Sequence, residues 1–581
     1  MSSTIEGART LPPFSRMLRL TRPNSADAVA FVILASLALL IFRGAEGAVE
    51  PLSRLRVEPV TLEPAKLPYY ALRTVLRMFA ALAASTVFTL VFSTLAARSR
   101  RAGQIIVPAL DILQSVPILG FLTFTVTFFI SLFPGNILGV ELAAVFAIFT
   151  SQAWNMAFSF YQSLRSLPTD LEEVAHSFAL SPVRRFLRLD LPFATPALVW
   201  NAMMSMSGGW FFVVASEAIT VGHTTVTLPG IGSWLAVAID RRDFTAVALA
   251  VAMMAAVILL YDQLFFRPVV AWADRFRFEQ TASTERPQSW AYDLLRRTRL
   301  LPVLFAPLAA IGRLLVALEP QVRQTKVRNT APPNRALELA WRLAVAVALV
   351  AAIWFSARYL LASLGLRDIV QAFGLAMLTM ARVIVLILLA SLIWVPLGVW
   401  IGLNPIWAER LQPVAQFLAA FPANVLFPFA VVVIVRWNLS PDIWLSPLMI
   451  LGTQWYILFN VIAGASALPT DLREAATMFS VRGGQWWRQV VLPGIFPYYV
   501  TGALTASGGS WNASIVAEAV SWGDRRLRAH GLGTYIAEAT AAGDYPRVAL
   551  GIAVMSLFVL AFNRLVWRPM YAFAERRVRL A

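Results

Sequence analysis

The sequence predicts an all-α polytopic membrane protein built as two tandem six-helix halves. Three observations predict it. Of the 581 residues, 58% are hydrophobic, against roughly 45–50% in an ordinary soluble domain. Several stretches run beyond about 18 mostly apolar residues, the length that crosses a bilayer as a helix. Residues of distinctive chemistry also recur at one fixed spacing between the two halves of the chain.

Taken in order, the apolar runs predict spans near 28–43, 71–97, 114–133, 137–161, 193–219 and 245–266, then near 339–363, 374–402, 413–436, 441–465, 494–519 and 546–566. The second set repeats the first. Glu173 and Glu474 lie 301 positions apart (474 − 173), and the same offset relates Trp154 to Trp455, Pro192 to Pro493, Trp210 to Trp511 and Glu217 to Glu518. It also relates Gly230 to Gly531, Gly232 to Gly533, Asp243 to Asp544 and Arg267 to Arg568. Upstream the offset is 305, pairing Arg77 with Arg382 and Pro117 with Pro422, so four residues differ in the loop after the third span. An even number of spans per half gives both halves one orientation. Parallel repeats of that kind are related by a pseudo-two-fold axis along the membrane normal.

The domain organisation follows. Residues 1–267 form the first half and 339–581 the second, with a basic linker at 268–338 containing Arg296, Arg297, Arg299, Arg323, Lys326 and Arg328. The apolar piece 300–319 inside the linker is expected to be an interfacial or docked helix with Arg313 at the water boundary. The formal net charge is +17. The basic residues cluster beside apolar spans, which is orientation chemistry rather than a nucleic-acid surface. Arg9, Arg16, Arg19 and Arg22, the linker, and Arg576, Arg577 and Arg579 are therefore expected on the cytoplasmic side, with both termini. The contacting phase is membrane lipid. There is no cysteine, and His176, His223 and His530 are scattered, so no disulfide or metal centre is expected.

By parity the loop after the fourth span, 167–192 and again 468–493, is cytoplasmic. It is polar in both copies: DLEEVAHSFALSPVRRFLRLDLP from Asp170 and DLREAATMFSVRGGQWWRQVVLP from Asp471. Thr169 with Glu172 reads as a capping box; Thr470 is the equivalent cap, with Arg473 in the reciprocal place. Each copy then offers an acid, small residues and an aromatic: Glu173, Ala175 and Phe178, and Glu474, Ala475, Ala476 and Phe479. Small residues let another surface approach closely, and the acid can pair with a base. An amphipathic loop covering its own helix ends would look similar.

This loop resembles the EAA loop of ABC-importer permeases, in which EAA is followed after three residues by Gly and nine residues later by I-x-L-P. The first copy gives Glu173-Val174-Ala175, Ala179 in the glycine place, and Leu189-Asp190-Leu191-Pro192. The second gives Glu474-Ala475-Ala476, Ser480, and Val490-Val491-Leu492-Pro493. The segments SGGWFFVVASEAI (207–219) and SGGSWNASIVAEAV (507–520), each followed by Gly-x-Gly, resemble the nitrate/sulfonate/taurine/bicarbonate branch of those permeases. The resemblance implies a type I importer fold in duplicated, single-chain form. It implies two coupling helices, one for each of two ATP-binding cassette subunits, which would hold ATP and magnesium, and a periplasmic or lipid-anchored substrate-binding protein. It also implies the bacterial inner membrane, and leaves open which anion is carried.

Ionisable residues inside spans are costly and point to function. Arg77 and Arg382, early in the second span of each half, present a donor fork suited to an oxyanion; snorkelling, or a salt bridge to Glu217 or Glu518, is the competing and somewhat favoured reading. Glu217 and Glu518 would repel an anion and are expected to be structural or gating, holding the turn at Gly230, Gly232, Gly531 and Gly533, where glycine would permit φ > 0. Trp210, Trp511, Asn201 and Asn512 are candidates for the substrate path, as are Gln152, Asn155, Ser205, Gln454, Asn460 and Ser514; packing and interhelical hydrogen bonds compete with that reading. No phosphate-binding G-x-x-x-x-G-K-[ST] segment occurs, so the chain itself is not expected to hydrolyse ATP or to be an enzyme. The alternative is a gradient-driven secondary transporter with parallel six-span repeats. It would need Glu217 and Glu518 as its ion-coupling acids, and it gives no reason for a duplicated EAA pattern.

Overall fold

The computed structural model describes residues 25–46, 60–115, 118–221, 224–276, 289–298, 306 and 335–577. The expectations for Arg9, Arg16, Arg19, Arg22, Pro117, His223, Arg313, Lys326 and Arg579, and for the piece 300–319 apart from Ala306, fall outside the described residues. The chain divides into two compact units, residues 1–43, 166–199 and 260–331 in one, and 44–165, 200–259 and 332–581 in the other.

Among the described residues nine helices are long and apolar enough to cross a membrane: Ser25–Arg43, Pro64–Arg98, Ile137–Arg165, Pro182–Glu217, Phe244–Phe276, Leu339–Ser363, Leu366–Gly402, Gly483–Ala517 and Tyr545–Ala574. A tenth is a broken span, Pro441–Ile450 and Trp455–Ser466, bent by 44°. The two third spans of the sequence reading are shorter. Ile118–Leu132 has 15 residues. The run 413–436 is interrupted between Pro405–Ala420 and the short turn Ala423–Leu426 that leads into Phe427–Arg436. Pro422 is the cause: it supplies no amide, and its ring pushes Phe421 out of helical backbone, to ψ 128°. The break in the tenth span falls at Leu451–Gln454, where Gly452 takes the repeat position that Ser151 holds in the unbroken helix Ile137–Arg165.

The spans extend beyond their apolar cores. The stretch 182–190, read as loop, is helical and runs straight into the fifth span. Residues Phe186–Asp190 and Trp487–Val491 form wider π-type turns at equivalent places, as do Asp262–Phe266 and Asn563–Trp567. Each ends two positions before a proline: Pro192, Pro493, Pro268 and Pro569. A proline inside a helix removes one i→i−4 bond and clashes with that carbonyl, and a local i→i+5 turn relieves both.

After the fifth span each half makes a short antiparallel hairpin, Ala218–Val221 with Thr224–Thr227 and Ala519–Trp522 with Arg525–Arg528. Gly523 takes φ +56° at the second tip, the left-handed backbone a two-residue hairpin turn demands. That tip engages the first half. Gly523 N donates to Ile239 O at 3.1 Å, Arg242 Nη2 meets Asp524 Oδ2 at 2.8 Å, and Trp522 packs on Phe244 with ring centroids 4.6 Å apart.

Candidate functional site

The two polar loops are built alike. Residues Thr169–Ser177 and Thr470–Met478 form helices of 9 residues each. The expected capping box does not form. Pro168 and Pro469 occupy the cap positions, and the Glu172 carboxylate takes a hydrogen bond from Arg185 instead. Both helices end in the same left-handed cap. Ala179 has φ +46° and Ser480 φ +52°. Leu180 N reaches back to Ala175 O at 3.1 Å, and Val481 N to Ala476 O at 2.9 Å. This is the double-bonded stop that glycine normally serves. Ala175 and Ala476 are the buried members, whereas Glu173 and Glu474 are exposed and Ala475 is half-buried. Beyond them, Phe178 is 74% exposed and Phe479 is 81% exposed. Each loop thus holds a large aromatic and an acid out in the open. Leu191 with Pro192, and Leu492 with Pro493, begin the fifth span of each half, after the π-type turns.

A second constellation is buried within the larger unit. Arg77, on the helix Leu67–Phe88, grips Glu141 with Nε and Nη2 and meets Glu217 Oε1 through Nη1 at 2.6 Å. Arg73, one turn earlier, adds a second guanidinium to Glu141. Thr74 Oγ1 donates to Glu217 Oε1 at 2.7 Å and accepts from Ile231 N at 3.0 Å; Gly232 N donates to Glu217 Oε2 at 2.7 Å. All four charged side chains are at most 8% exposed. Two arginines offset two glutamates, and multiple hydrogen bonds satisfy each, which is the condition for burying such charge in a membrane.

The second half repeats the arrangement with one change. Thr379 Oγ1 and Arg382 Nη1 both donate to Glu518 Oε1, at 2.9 and 3.0 Å, and Gly533 N donates to Oε2 at 2.8 Å. Asp442 takes the place of Glu141 and accepts from Arg382 Nη2 at 3.1 Å. Leu378 stands where Arg73 stood. The exposed His530 covers that side, with N donating to Asp442 Oδ1 at 2.6 Å and Nδ1 3.0 Å from Oδ2. Glu141 is 8% exposed and Asp442 is 42% exposed, so the second network opens to solvent.

The glycines act by a different route from the one their pattern suggested. Gly230 and Gly531 are extended, at φ −177° and −169°, a region open to any residue. Their need is space: a Cβ on Gly230 would collide with the Glu217 carboxylate, and one on Gly531 with that of Glu518. Gly232 is equally confined, since its Cβ would lie 2.8 Å from Val214 Cα.

The sequence profile of the binding-protein-dependent transport system inner membrane component family matches the chain twice, over residues 89–267 and 394–579, together more than half of it. The chain belongs to this family. It is 28% identical over 188 residues to the nitrate import permease protein NrtB of Leptolyngbya laminosa, covering 32% of this chain and 64% of the relative. It is 28% identical over 178 residues to the bicarbonate transport system permease protein CmpB of Synechococcus elongatus, covering 31% and 61%. It is 31% identical over 137 residues to the glycine betaine/proline betaine permease protein ProW of Escherichia coli, covering 23% and 36%. The chain thus spans less than two thirds of the length of these relatives. As a member of this family it is a duplicated, multi-pass ABC transporter permease.

The remaining sequence candidates of this permease are dispersed. Trp210 and Trp511 are 0% and 1% exposed, packed inside the helix bundle. Asn201 Nδ2 donates to Ser159 Oγ at 2.7 Å, and Asn512 Nδ2 to the carbonyl of Gly508 one turn back at 3.2 Å. Arg77 and Arg382 are joined to carboxylates and not to each other. Thr74, Arg73 and Glu141, with Thr379 and Asp442, were not singled out in the sequence, and His530 was read only as one of three scattered histidines. The signal existed: Glu141 and Asp442 share the 301 offset, and Thr74 and Thr379 the 305 offset.

Proposed function

We propose that the chain is the membrane-spanning subunit of an ATP-driven importer for a small anion of the nitrate or bicarbonate kind. The observation that carries this reading is the pair of exposed, identically stopped helices Thr169–Ser177 and Thr470–Met478, each offering an acid and an aromatic. Each docks one ATP-binding subunit, and those subunits hold ATP and magnesium. A periplasmic or lipid-anchored binding protein delivers the substrate on the opposite side. Both termini lie in the cytoplasm of a bacterial cell. ATP binding closes the ATPase pair, pulls on the coupling helices and rocks the halves between outward- and inward-facing states.

The buried networks support this reading over a gradient-driven transporter. Glu217 and Glu518, the paired acids such a transporter would titrate, are each held by an arginine, a threonine hydroxyl and a glycine amide. A carboxylate so engaged braces the second span, the fifth span and the Gly-x-Gly turn against one another.

The test replaces Glu173 and Glu474 with Arg. Both are exposed, so folding should be unaffected. Substrate-stimulated ATP hydrolysis and uptake by the assembled transporter should fall at least about tenfold, the cost of opposing a rim charge pair. Undiminished hydrolysis and uptake would remove these helices as coupling elements.

A further inference from the structure

The seam between the two halves carries the same aromatic pair twice. Phe244 of the first half and Phe429 of the second have ring centroids 5.7 Å apart. Their repeat equivalents, Tyr545 and Phe124, also lie 5.7 Å apart. At the first pair the hairpin of the second half adds more. Trp522 stacks a third ring 4.6 Å from Phe244, and Asp524 Oδ2 meets Arg242 Nη2 at 2.8 Å. In sequence the equivalents of Trp522, Asp524 and Arg242 are Val221, His223 and Gly543. The repeat therefore encodes this ring and this ion pair once.

Arg242 occupies a place that suits glycine. The helices Ile231–Asp240 and Leu532–Ala542 end in the same turn: Asp243 N donates to Ala238 O, and Asp544 N to Ala539 O, both at 2.9 Å. The residue before each donor is left-handed, Arg242 at φ +56° and Gly543 at φ +70°. Glycine adopts that backbone freely and arginine at a cost. The cost falls on the residue whose guanidinium holds the hairpin tip. Strained backbone of this kind persists where the side chain it presents has a task. The Ile239 carbonyl, at the end of the same helix, is shared: it accepts from Arg242 N at 3.2 Å and from Gly523 N at 3.1 Å.

The tip stands at the far end of the fifth span from the docking helix. The span Gly483–Ala517, of 35 residues, follows the helix Thr470–Met478 and precedes the hairpin. It is roughly 50 Å long at 1.5 Å per residue. The contacts at the tip part readily. The ion pair is open to water, with Arg242 46% and Asp524 100% exposed, and such pairs hold weakly.

Resting on the importer reading above, we propose that the tip 522–525 is a one-sided latch that joins the outer ends of the two halves and releases in each transport cycle. It is closed in this structure. Drawing the docking helices together spreads the outer ends and pulls Asp524 and Trp522 away from Arg242 and Phe244. The latch thereby limits how fast the ATPase pair cycles when no substrate is present.

The experiment measures ATP hydrolysis by the chain with its ATP-binding subunits in lipid vesicles, without substrate or binding protein. Arg242→Gly installs the residue of the other half. It should raise hydrolysis about two- to fivefold, the range of an exposed ion pair, while the melting temperature of the chain holds or rises. Asp524→Asn should raise hydrolysis similarly, and the exchange Arg242→Asp with Asp524→Arg should bring it back toward wild type. The chain has no cysteine, so Arg242→Cys with Asp524→Cys can be joined by a short bifunctional thiol reagent. Joining should stop hydrolysis, and a reductant should restore it. Unchanged or slower hydrolysis in either single variant, thiols that the reagent does not join, or a joined pair that hydrolyses ATP as fast as the unjoined one overturns the latch and leaves the importer reading standing. A chain that binds no ATP-binding subunit overturns that reading and the latch with it.

Discussion

Arg77 Nη1 stands 2.6 Å from Glu217 Oε1, and this ion pair ties the second span to the last residue of the fifth, 140 positions away. One repeat later Arg382 and Glu518 make the same contact at 3.0 Å. The first pair is sealed, and the second shares its arginine with a half-exposed aspartate.

That difference predicts unequal responses to losing the acid. Glu217→Gln leaves two buried arginines facing the single charge of Glu141. Removing one partner of a buried pair costs about 3–5 kcal/mol, so thermal unfolding of the purified chain in detergent should shift down strongly. Glu518→Gln leaves Arg382 with Asp442 and access to water, and should shift it markedly less. Equal shifts would contradict the burial asymmetry.

Gly230→Ala and Gly531→Ala should each destabilise the chain although both backbones are extended. The added methyl enters the volume of a carboxylate already held by an arginine, and such overpacking costs typically about 1–3 kcal/mol. Shortening the acid in the same molecule, as Gly230→Ala with Glu217→Asp, should recover part of the loss. Failure of the double variant to melt above Gly230→Ala alone would show that the collision is not the cause.

The helices Thr169–Ser177 and Thr470–Met478 should tighten when the left-handed residues that end them become glycine. A non-glycine residue pays about 1–2 kcal/mol to adopt that backbone. Ala179→Gly and Ser480→Gly should therefore slow amide hydrogen exchange at Leu180 and Val481, the donors of the cap bonds. Unchanged or faster exchange would argue against the cap.

How much of this was legible in the sequence follows the same physics. The repeat, the long apolar helices and the polar inserts are written in periodicity and spacing, and most spans fall where the apolar runs place them. The cap at Ala179 and Ser480 was obscured because neither is glycine. Here the hydrogen bonds of Leu180 and Val481 outweigh a local backbone preference. The Gly230 and Gly531 pattern was legible but its cause was not, since a steric limit set by a carboxylate 13 positions earlier leaves no local trace. Arg77 and Arg382 were visible as costly charges, with Glu217 and Glu518 as salt-bridge partners in one reading; their second acids, Glu141 and Asp442, come from other helices and are marked only by a shared offset, as are Thr74 and Thr379. The shorter third spans follow from Pro422, and from a run at 118–132 too brief for the full bilayer.

The central claim is that one chain of this family carries both docking helices for an ATPase pair. Its most direct test is purification of the chain from its native membrane in mild detergent, with the mass and identity of everything bound. Two ATP-binding subunits per chain, lost together when Glu173 and Glu474 are reversed to Arg, is the predicted result. A stable, folded chain that binds no ATP-binding subunit, and whose transport follows an ion gradient in its absence, would contradict it.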